Sequence, residues 1–354
     1  FPMTRKAPPP GSRRKQPHEH TQHTTSDHAT NKPYMALLHA VRSDVLTRRE
    51  AVALISEQPE LLELDFGAVH EDEQLLLVHK PFQVRMSAPS RPAGADSPDE
   101  PSLHEWLVGT HPSVMTAAGT TRVCHNLDYA TSGVVACAKS EGAAREVGRL
   151  FEARKARKLY AALVFGHPAW EERNISARIA VTARKFRQSV TKASSGKAAR
   201  TTATVAARGR LVLPPHRGKE ASLLWLTPHT GRRHQLRLHM AHIGHPIVGD
   251  VTYGADRRSY RMFLHAAALE LPSAGLLGQG RAGADGGADG GADGGGSGCA
   301  DDAWVRGVAP LAPRGWHNAF TPSEPLRSPA FWPGAVGELL GSGSSHKGRS
   351  RGPS

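Results

Sequence analysis

Cysteine is scarce in this chain of 354 residues, with only Cys124, Cys137 and Cys299. These fall at no paired spacing for zinc and make no even-numbered disulfide framework. A zinc module and a disulfide-stapled secreted domain are therefore excluded, and a soluble protein in a reducing, intracellular setting is expected, either the cytosol or an organelle. No apolar run approaches the roughly 18 residues of a membrane span, so no membrane partner is expected. Acid is also in short supply, with 32 Asp and Glu against 45 Lys and Arg, a formal charge of +13 and a pI near 10.0. Residues 1–35 carry +4 of that charge and residues 273–354 balance, which leaves +9 for the middle. A basic excess on the part most able to fold points to a polyanionic partner rather than a solubilising tail. A basic surface without a partner fits the same count.

The chain divides by composition. Residues 1–34 are rich in Pro, Ser, Thr, His and Arg and read as a disordered basic tail, compatible with an organellar transit peptide, with a start upstream of Phe1 expected. His18, His20 and His23 there are not expected to hold a metal. Residues 35–67 form a helical prelude, read as a strut against the core in preference to a vestigial RNA-binding appendage, in which Thr47-Arg48-Arg49-Glu50 is a capping box opening a helix over 47–56, closed before Pro59. The main domain runs over 68–272. From 273 to 315 the composition turns to a Gly/Ala/Asp-rich flexible insert, too short and irregular to read as a calcium repeat. Residues 316–334 are a candidate closing segment of the main domain, and 335–354 a disordered tail.

Within 68–272, residues 68–80 end in the buried strand Leu75-Leu76-Leu77-Val78-His79-Lys80, stopped by Pro81. A loop is expected over 87–101 and a helix from His104. A strand over 134–139 and a helix over 142–154 follow, the helix burying Val147, Leu150 and Phe151. The basic run Lys155 to Lys158 leads into a strand whose first aromatic is Tyr160. Residues 175–208 read as a basic hairpin, and 221–226 and 263–271 as strands. Leu236, Met240 and Ile243 lie on one helical face, with Arg237 away from that stripe and Gly244 and Pro246 ending the helix.

The stretch Cys124-His125-Asn126-Leu127-Asp128-Tyr129-Ala130-Thr131-Ser132-Gly133 puts Asp128 in a polar turn at the mouth of a buried strand, where catalytic groups often sit. By itself that segment slightly favours a plainer role, in which Asp128 caps the turn near Thr131. Tyr160 likewise reads as core aromatic or as a platform for a base.

Three blocks in order carry a resemblance: His125-Asn126-Leu127-Asp128 with Thr131-Ser132-Gly133; Lys158-Leu159-Tyr160-Ala161-Ala162-Leu163-Val164 with Gly166; and Thr230-Gly231-Arg232 through His234-Gln235-Leu236-Arg237, His239, Gly244-His245-Pro246, Gly249-Asp250 and Tyr253-Gly254. Together they resemble the RluA-like family of RNA pseudouridine synthases, most of all the subgroup of RNA pseudouridylate synthase domain-containing proteins. The resemblance covers about 68–272, with Phe320-Thr321-Pro322 as a candidate match to the family's closing segment.

It implies an α/β (α+β) pseudouridine synthase fold, a long, mixed, mostly antiparallel sheet with flanking helices and a central cleft. It also implies cofactor-free isomerisation of uridine in structured or loop-containing RNA; a monomer with no obligatory protein partner and no metal is expected. By motif, Asp128 is the catalytic carboxylate, Arg237 its partner and Tyr160 the aromatic against the base. The expected substrate-binding set is His125, Asn126, Thr131, Arg232, His234 and Gln235, with His125 and Thr131 also holding the loop. A guanidinium suits the place because it stays charged and favours an ionised neighbour. In the family the residue before Leu-Asp is usually Arg. Asn126 departs from that, which leaves open an inactive RNA-binding protein of the same fold. A third alternative is a glycosidic-bond hydrolase using Asp128 and Asp250, although Asp250 reads better as a turn residue.

Overall fold

The computed structural model describes residues 66–87, 102–183, 187–273, 276, 304–311, 316 and 319–329. The expected helix over 47–56, both tails and the repeats over 283–295 lie outside the described residues. In chain order the elements are strands β1 (Gly67–Glu71) and β2 (Leu75–Lys80), helix α1 (Leu103–Thr110), a 3-10 turn (Pro112–Val114), β3 (Ser132–Ala138), α2 (Glu141–Glu152), β4 (Arg157–Phe165), β5 (Glu172–Ser176), β6 (Arg178–Val181), β7 (Gln188–Thr191), β8 (Arg200–Leu211), β9 (Glu220–Pro228), α3 (Gln235–His242), β10 (Leu264–Pro272), β11 (Trp304–Val308) and β12 (Phe320–Pro322).

Ten of the strands share one sheet, ordered β1-β2-β3-β10-β4-β9-β8-β12, with β11 added to β10 and β5 to β8, while β6 and β7 form a separate hairpin. Only β3 and β10 run parallel; every other pairing among the named strands is antiparallel. This is the mixed, mostly antiparallel sheet expected. No helix among the described residues is long and apolar enough to cross a membrane.

Both faces of the central strands are covered, which explains their unbroken apolar runs. In β2, Leu75 and Leu77 join a cluster with Val147 and Leu150 of α2, while Leu76 and Val78 join one with Leu103 and Leu107 of α1. In β4, Ala162 and Val164 pack with Leu236 and Met240 of α3, while Leu159 and Leu163 face the opposite side. Helices α1 and α3 therefore cover the two ends of one face. Tyr160 touches both of their clusters and lies at the gap between them.

Several expected elements shift. The strand expected at Leu75–Lys80 is β2, and the residues before it add β1 in a hairpin, because Asp72 Oδ1 accepts from the backbone N–H groups of Gln74 (2.8 Å) and Leu75 (2.7 Å) and turns the chain without Gly or Pro. Helix α1 starts earlier than His104, at the capping box in which Ser102 Oγ accepts from Glu105 N and Glu105 Oε2 accepts from Ser102 N. Helix α3 is buried on almost every side, so Arg237 is enclosed rather than set away from a stripe. The insert expected over 273–315 does not hold to its end. Trp304–Val308 pairs with β10, Gly307 packs against Leu77, and Ala309 and Leu311 are buried in the core. The short β12 pairs with β8, Phe320 opposite Leu211 and Pro322 opposite Gly209.

Candidate active site

Asp128 sits in the turn entering β3, whose closing bond runs from Thr131 N to the Asp128 carbonyl at 3.0 Å. The turn is pinned on both flanks. Leu127 is buried beside α1, and His125 Nε2 accepts from Ala136 N at 3.0 Å, replacing a backbone acceptor. Burial pushes the His125 imidazole down to about 4, so at neutral pH it is the uncharged acceptor this bond needs. Beyond the turn, Gly133 has φ +121, and a Cβ there would overlap the backbone of Ala266 in β10. Only glycine lets β3 approach that closely.

Across the cleft, α3 supplies the opposing charge. Arg237 Nη1 donates to Asp128 Oδ2 at 3.1 Å, while its Nε and Nη2 donate to Asp250 Oδ2 and Oδ1, both at 2.9 Å. Asp250 is buried and also accepts from Thr252 N and Tyr253 N, so one carboxylate closes a turn and fixes the guanidinium. The Tyr253 ring stacks on that guanidinium at 5.1 Å. Burial opposes the Arg237 charge, but the bonds and charges of Asp250 and Asp128 outweigh it and raise its pKa. Asp128 keeps 24% of its side chain exposed against 1% for Asp250. Of the two, only Asp128 can meet a substrate, and the expected alternative of a hydrolase pairing Asp128 with Asp250 fails on this geometry.

His234 opens α3 in a left-handed backbone conformation, its Nδ1 lying 2.7 Å from the Tyr253 hydroxyl and its Nε2 3.8 Å from Asp128 Oδ1. The Tyr253 oxygen accepts from Gln188 N, and its proton donates to Nδ1 in the tautomer that sets the imidazole proton on Nε2, toward Asp128. Burial, opposed by the charge of Asp128, holds His234 below the ordinary imidazole range. Tyr160, on β4, lines the same cleft. Burial and the nearby Asp128 charge push its phenol well up, so it is a neutral ring at any working pH.

The structure thus brings together Asp128, Arg237, Tyr160 and His234, with exposed Asn126 and half-buried Arg232 lining the same cleft. Three expected substrate contacts serve the scaffold instead. Gln235 is buried, with its oxygen accepting from Thr230 Oγ1 and Arg232 N and its nitrogen donating to Arg200 O and Thr201 Oγ1, which spends the whole amide. His125 is committed to Ala136, and Thr131 is buried in the turn. Arg232 donates from Nε to Ala198 O at 3.1 Å and keeps its terminal nitrogens.

The cleft encloses about 2270 Å³ and is lined by Arg154, Lys158, Arg200, Arg232, Arg233 and Arg257 against the acids Glu152 and Asp128. Concentrated positive charge of this kind attracts a phosphate backbone. Sequence reading missed two further buried basic side chains. Lys80 is fully buried, donating to the carbonyls of Pro81 (2.8 Å), Val84 (3.0 Å) and Tyr129 (3.4 Å), and Arg261 lines the cleft wall. Only the Lys-Pro step at the end of β2 hinted at the first.

A family model described as RNA pseudouridylate synthase matches residues 74–242. RNA pseudouridylate synthase domain-containing protein 1 of Danio rerio is 39% identical over 161 residues, 43% of this chain and 53% of that protein. The chain thus spans about half the length of that relative. Dual-specificity RNA pseudouridine synthase RluA of Haemophilus influenzae is 33% identical over 223 residues, covering 62% of this chain and 92% of the relative. Among solved structures, human RNA Pseudouridylate Synthase Domain Containing 1 aligns with a TM-score of 0.56 at 25% identity, covering 79% of this chain and 94% of that one.

Proposed function

Because this chain belongs to the RNA pseudouridylate synthase family, we propose that it isomerises uridines in structured RNA to pseudouridine, with Asp128 as the catalytic carboxylate. The reaction breaks the N1–C1′ bond, turns the base, and joins C5 to C1′; C5 loses a proton and N1 gains one, so atoms balance without a cofactor. The observation that carries the reading is the 3.1 Å pair of Asp128 and Arg237 in a basic cleft.

Each side chain has a chemical reason for its place. A carboxylate acting on sugar or base must be ionised and reachable, and Asp128 is the exposed acid of the pair. At about 4 Å and an effective dielectric near 20 a unit pair is worth roughly 4 kcal/mol, enough to offset much of the cost of partial burial. Tyr160 offers a flat face on which an extruded uracil can stack, and the cations on the rim hold the phosphates while the base is out, a step that costs a few kcal/mol. Arg232 and His234 are the remaining candidates for direct substrate contact.

The test uses unmodified tRNA and rRNA transcripts with base-resolved mapping. The intact protein is expected to form pseudouridine at defined sites, and Asp128→Asn to form none while melting at the same temperature and retaining RNA affinity. Undiminished turnover by that variant would overturn the assignment. Asn126, at the position where the family usually carries Arg, favours one second reading, RNA binding without turnover. Salt-sensitive binding with no product on any transcript would establish it.

A further inference from the structure

Arg261 is a buried cation without a counter-charge. Only 8% of it is exposed, and no carboxylate among the described residues lies within ion-pair distance. Its Nη2 donates to Ser132 Oγ at 2.7 Å and its Nε to the Met262 carbonyl at 3.2 Å. Its guanidinium carbon stands 4.3 Å from the ring centre of Phe82, 5.5 Å from Phe263 and 5.8 Å from Trp316. The third nitrogen, Nη1, finds no acceptor among the described residues, although Arg261 lines the cleft.

The surroundings do not supply the missing charge. Lys80, which feels the charge of Arg261, is basic and brings no negative charge. His265, joined to Arg261 through the Ser132 hydroxyl at 2.8 Å, is held neutral by burial, and Tyr260 is a neutral phenol. Asp128 is already paired with Arg237. Burying a lone cation is costly, and aromatic faces recover only part of that cost. Such an arrangement makes sense when a ligand brings the balancing charge.

We propose that Arg261 forms an anion site in the cleft wall, taking an RNA phosphate beside the nucleotide that Asp128 acts on. The position follows from connectivity. Ser132, which holds Arg261, lies four residues beyond Asp128 at the start of β3, and Lys80 senses both charges. A phosphodiester supplies one negative charge and acceptor oxygens in the geometry a guanidinium fork prefers. The site deepens the synthase reading and rests on it for the choice of RNA as the source of the phosphate.

The test compares Arg261→Met and Arg261→Lys in the full chain. Poly(U) binding, followed by fluorescence anisotropy over a KCl series, should lose about 0.7 from its log–log salt slope in Arg261→Met, one single-strand phosphate contact. Arg261→Lys should keep the slope. Because Arg261→Met also removes an uncompensated charge, its melting temperature should equal or exceed that of the unaltered protein. Inorganic phosphate at constant ionic strength should raise the melting temperature of the unaltered protein and not that of Arg261→Met. An unchanged slope in Arg261→Met, or equal destabilisation of both variants, overturns the proposal and makes Arg261 a structural cation. If the slope and phosphate shift appear but no transcript is isomerised, the anion site stands and the synthase assignment falls.

Discussion

Asp250 grips Arg237 with both carboxylate oxygens at 2.9 Å, whereas Asp128 receives a single bond at 3.1 Å from the same guanidinium. The buried acid fixes the cation and the exposed acid uses it. Removing Asp250 should therefore damage the site from behind. Asp250→Ala leaves Arg237, with 8% side-chain exposure, short of one partner, and breaking a buried pair typically costs about 3–5 kcal/mol. Urea denaturation should show a loss of that order, and turnover should fall because the guanidinium is free to leave Asp128. A variant as stable as the unaltered protein would mean that Asp250 serves only its own turn.

Tyr160 separates a ring effect from a hydroxyl effect. Its hydroxyl bonds none of the described residues, and its phenol is held neutral, so Tyr160→Phe should keep most of the turnover. Tyr160→Ala removes the stacking face, worth about 1–3 kcal/mol per base, or roughly 5- to 150-fold. Single-turnover rates at saturating enzyme measure both. Equal losses in the two variants would shift the role from the ring to the hydroxyl.

Much of this site was legible in the sequence because its polar residues come in short blocks whose spacing is set by local structure. Asp128 lies in a turn before an apolar strand, and Arg237 lies on the first turn of a helix. What could not be read are relations fixed only by tertiary packing. Asp250 was legible as a turn residue, but its other oxygen surfaces are claimed by a helix thirteen positions upstream. Arg261 lies beside an apolar strand with no local signal of the aromatic faces around it. Strand β11 was hidden because a short pairing partner after a Gly/Asp-rich run has no periodicity of its own. The enclosure of Arg237 has the same cause: beyond its apolar stripe, α3 is packed on sides whose residues look polar in sequence.

Two glycine substitutions should act in opposite directions. Gly249 has φ +79, and a Cβ there would overlap the Arg261 carbonyl, a backbone atom with no room to retreat. Gly249→Ala should cost several kcal/mol and disturb the Asp250 turn and the Arg261 segment together, since strain at such a φ adds about 1–3 kcal/mol to the clash. Gly148, inside α2 with nothing within 4 Å, should gain about 0.5–1 kcal/mol on replacement by Ala. Thermal melts of the pair check the contrast, and a neutral Gly249→Ala would show that the contact between this turn and the Arg261 backbone is looser than described.

Lys80 should give the fold a pH dependence of unusual sign for a lysine. Burial pushes its ammonium down to about 7, against the pull of Asp128, from an ordinary 10.5. Between those values the unfolded chain binds a proton that the folded chain releases, so raising the pH favours the fold. This contribution is complete above pH 10.5 and is lost as the pH falls to about 7. The slope for one proton is at most about 1.4 kcal/mol per pH unit. Lys80→Met, which cannot ionise, should lack this rise while losing the bonds to Pro81, Val84 and Tyr129. Chemical denaturation of both proteins from pH 7 to 9.5 isolates the lysine, because every other titration is common to the pair. Parallel stability curves would show that the three carbonyls and Asp128 keep Lys80 charged in the folded protein despite its burial.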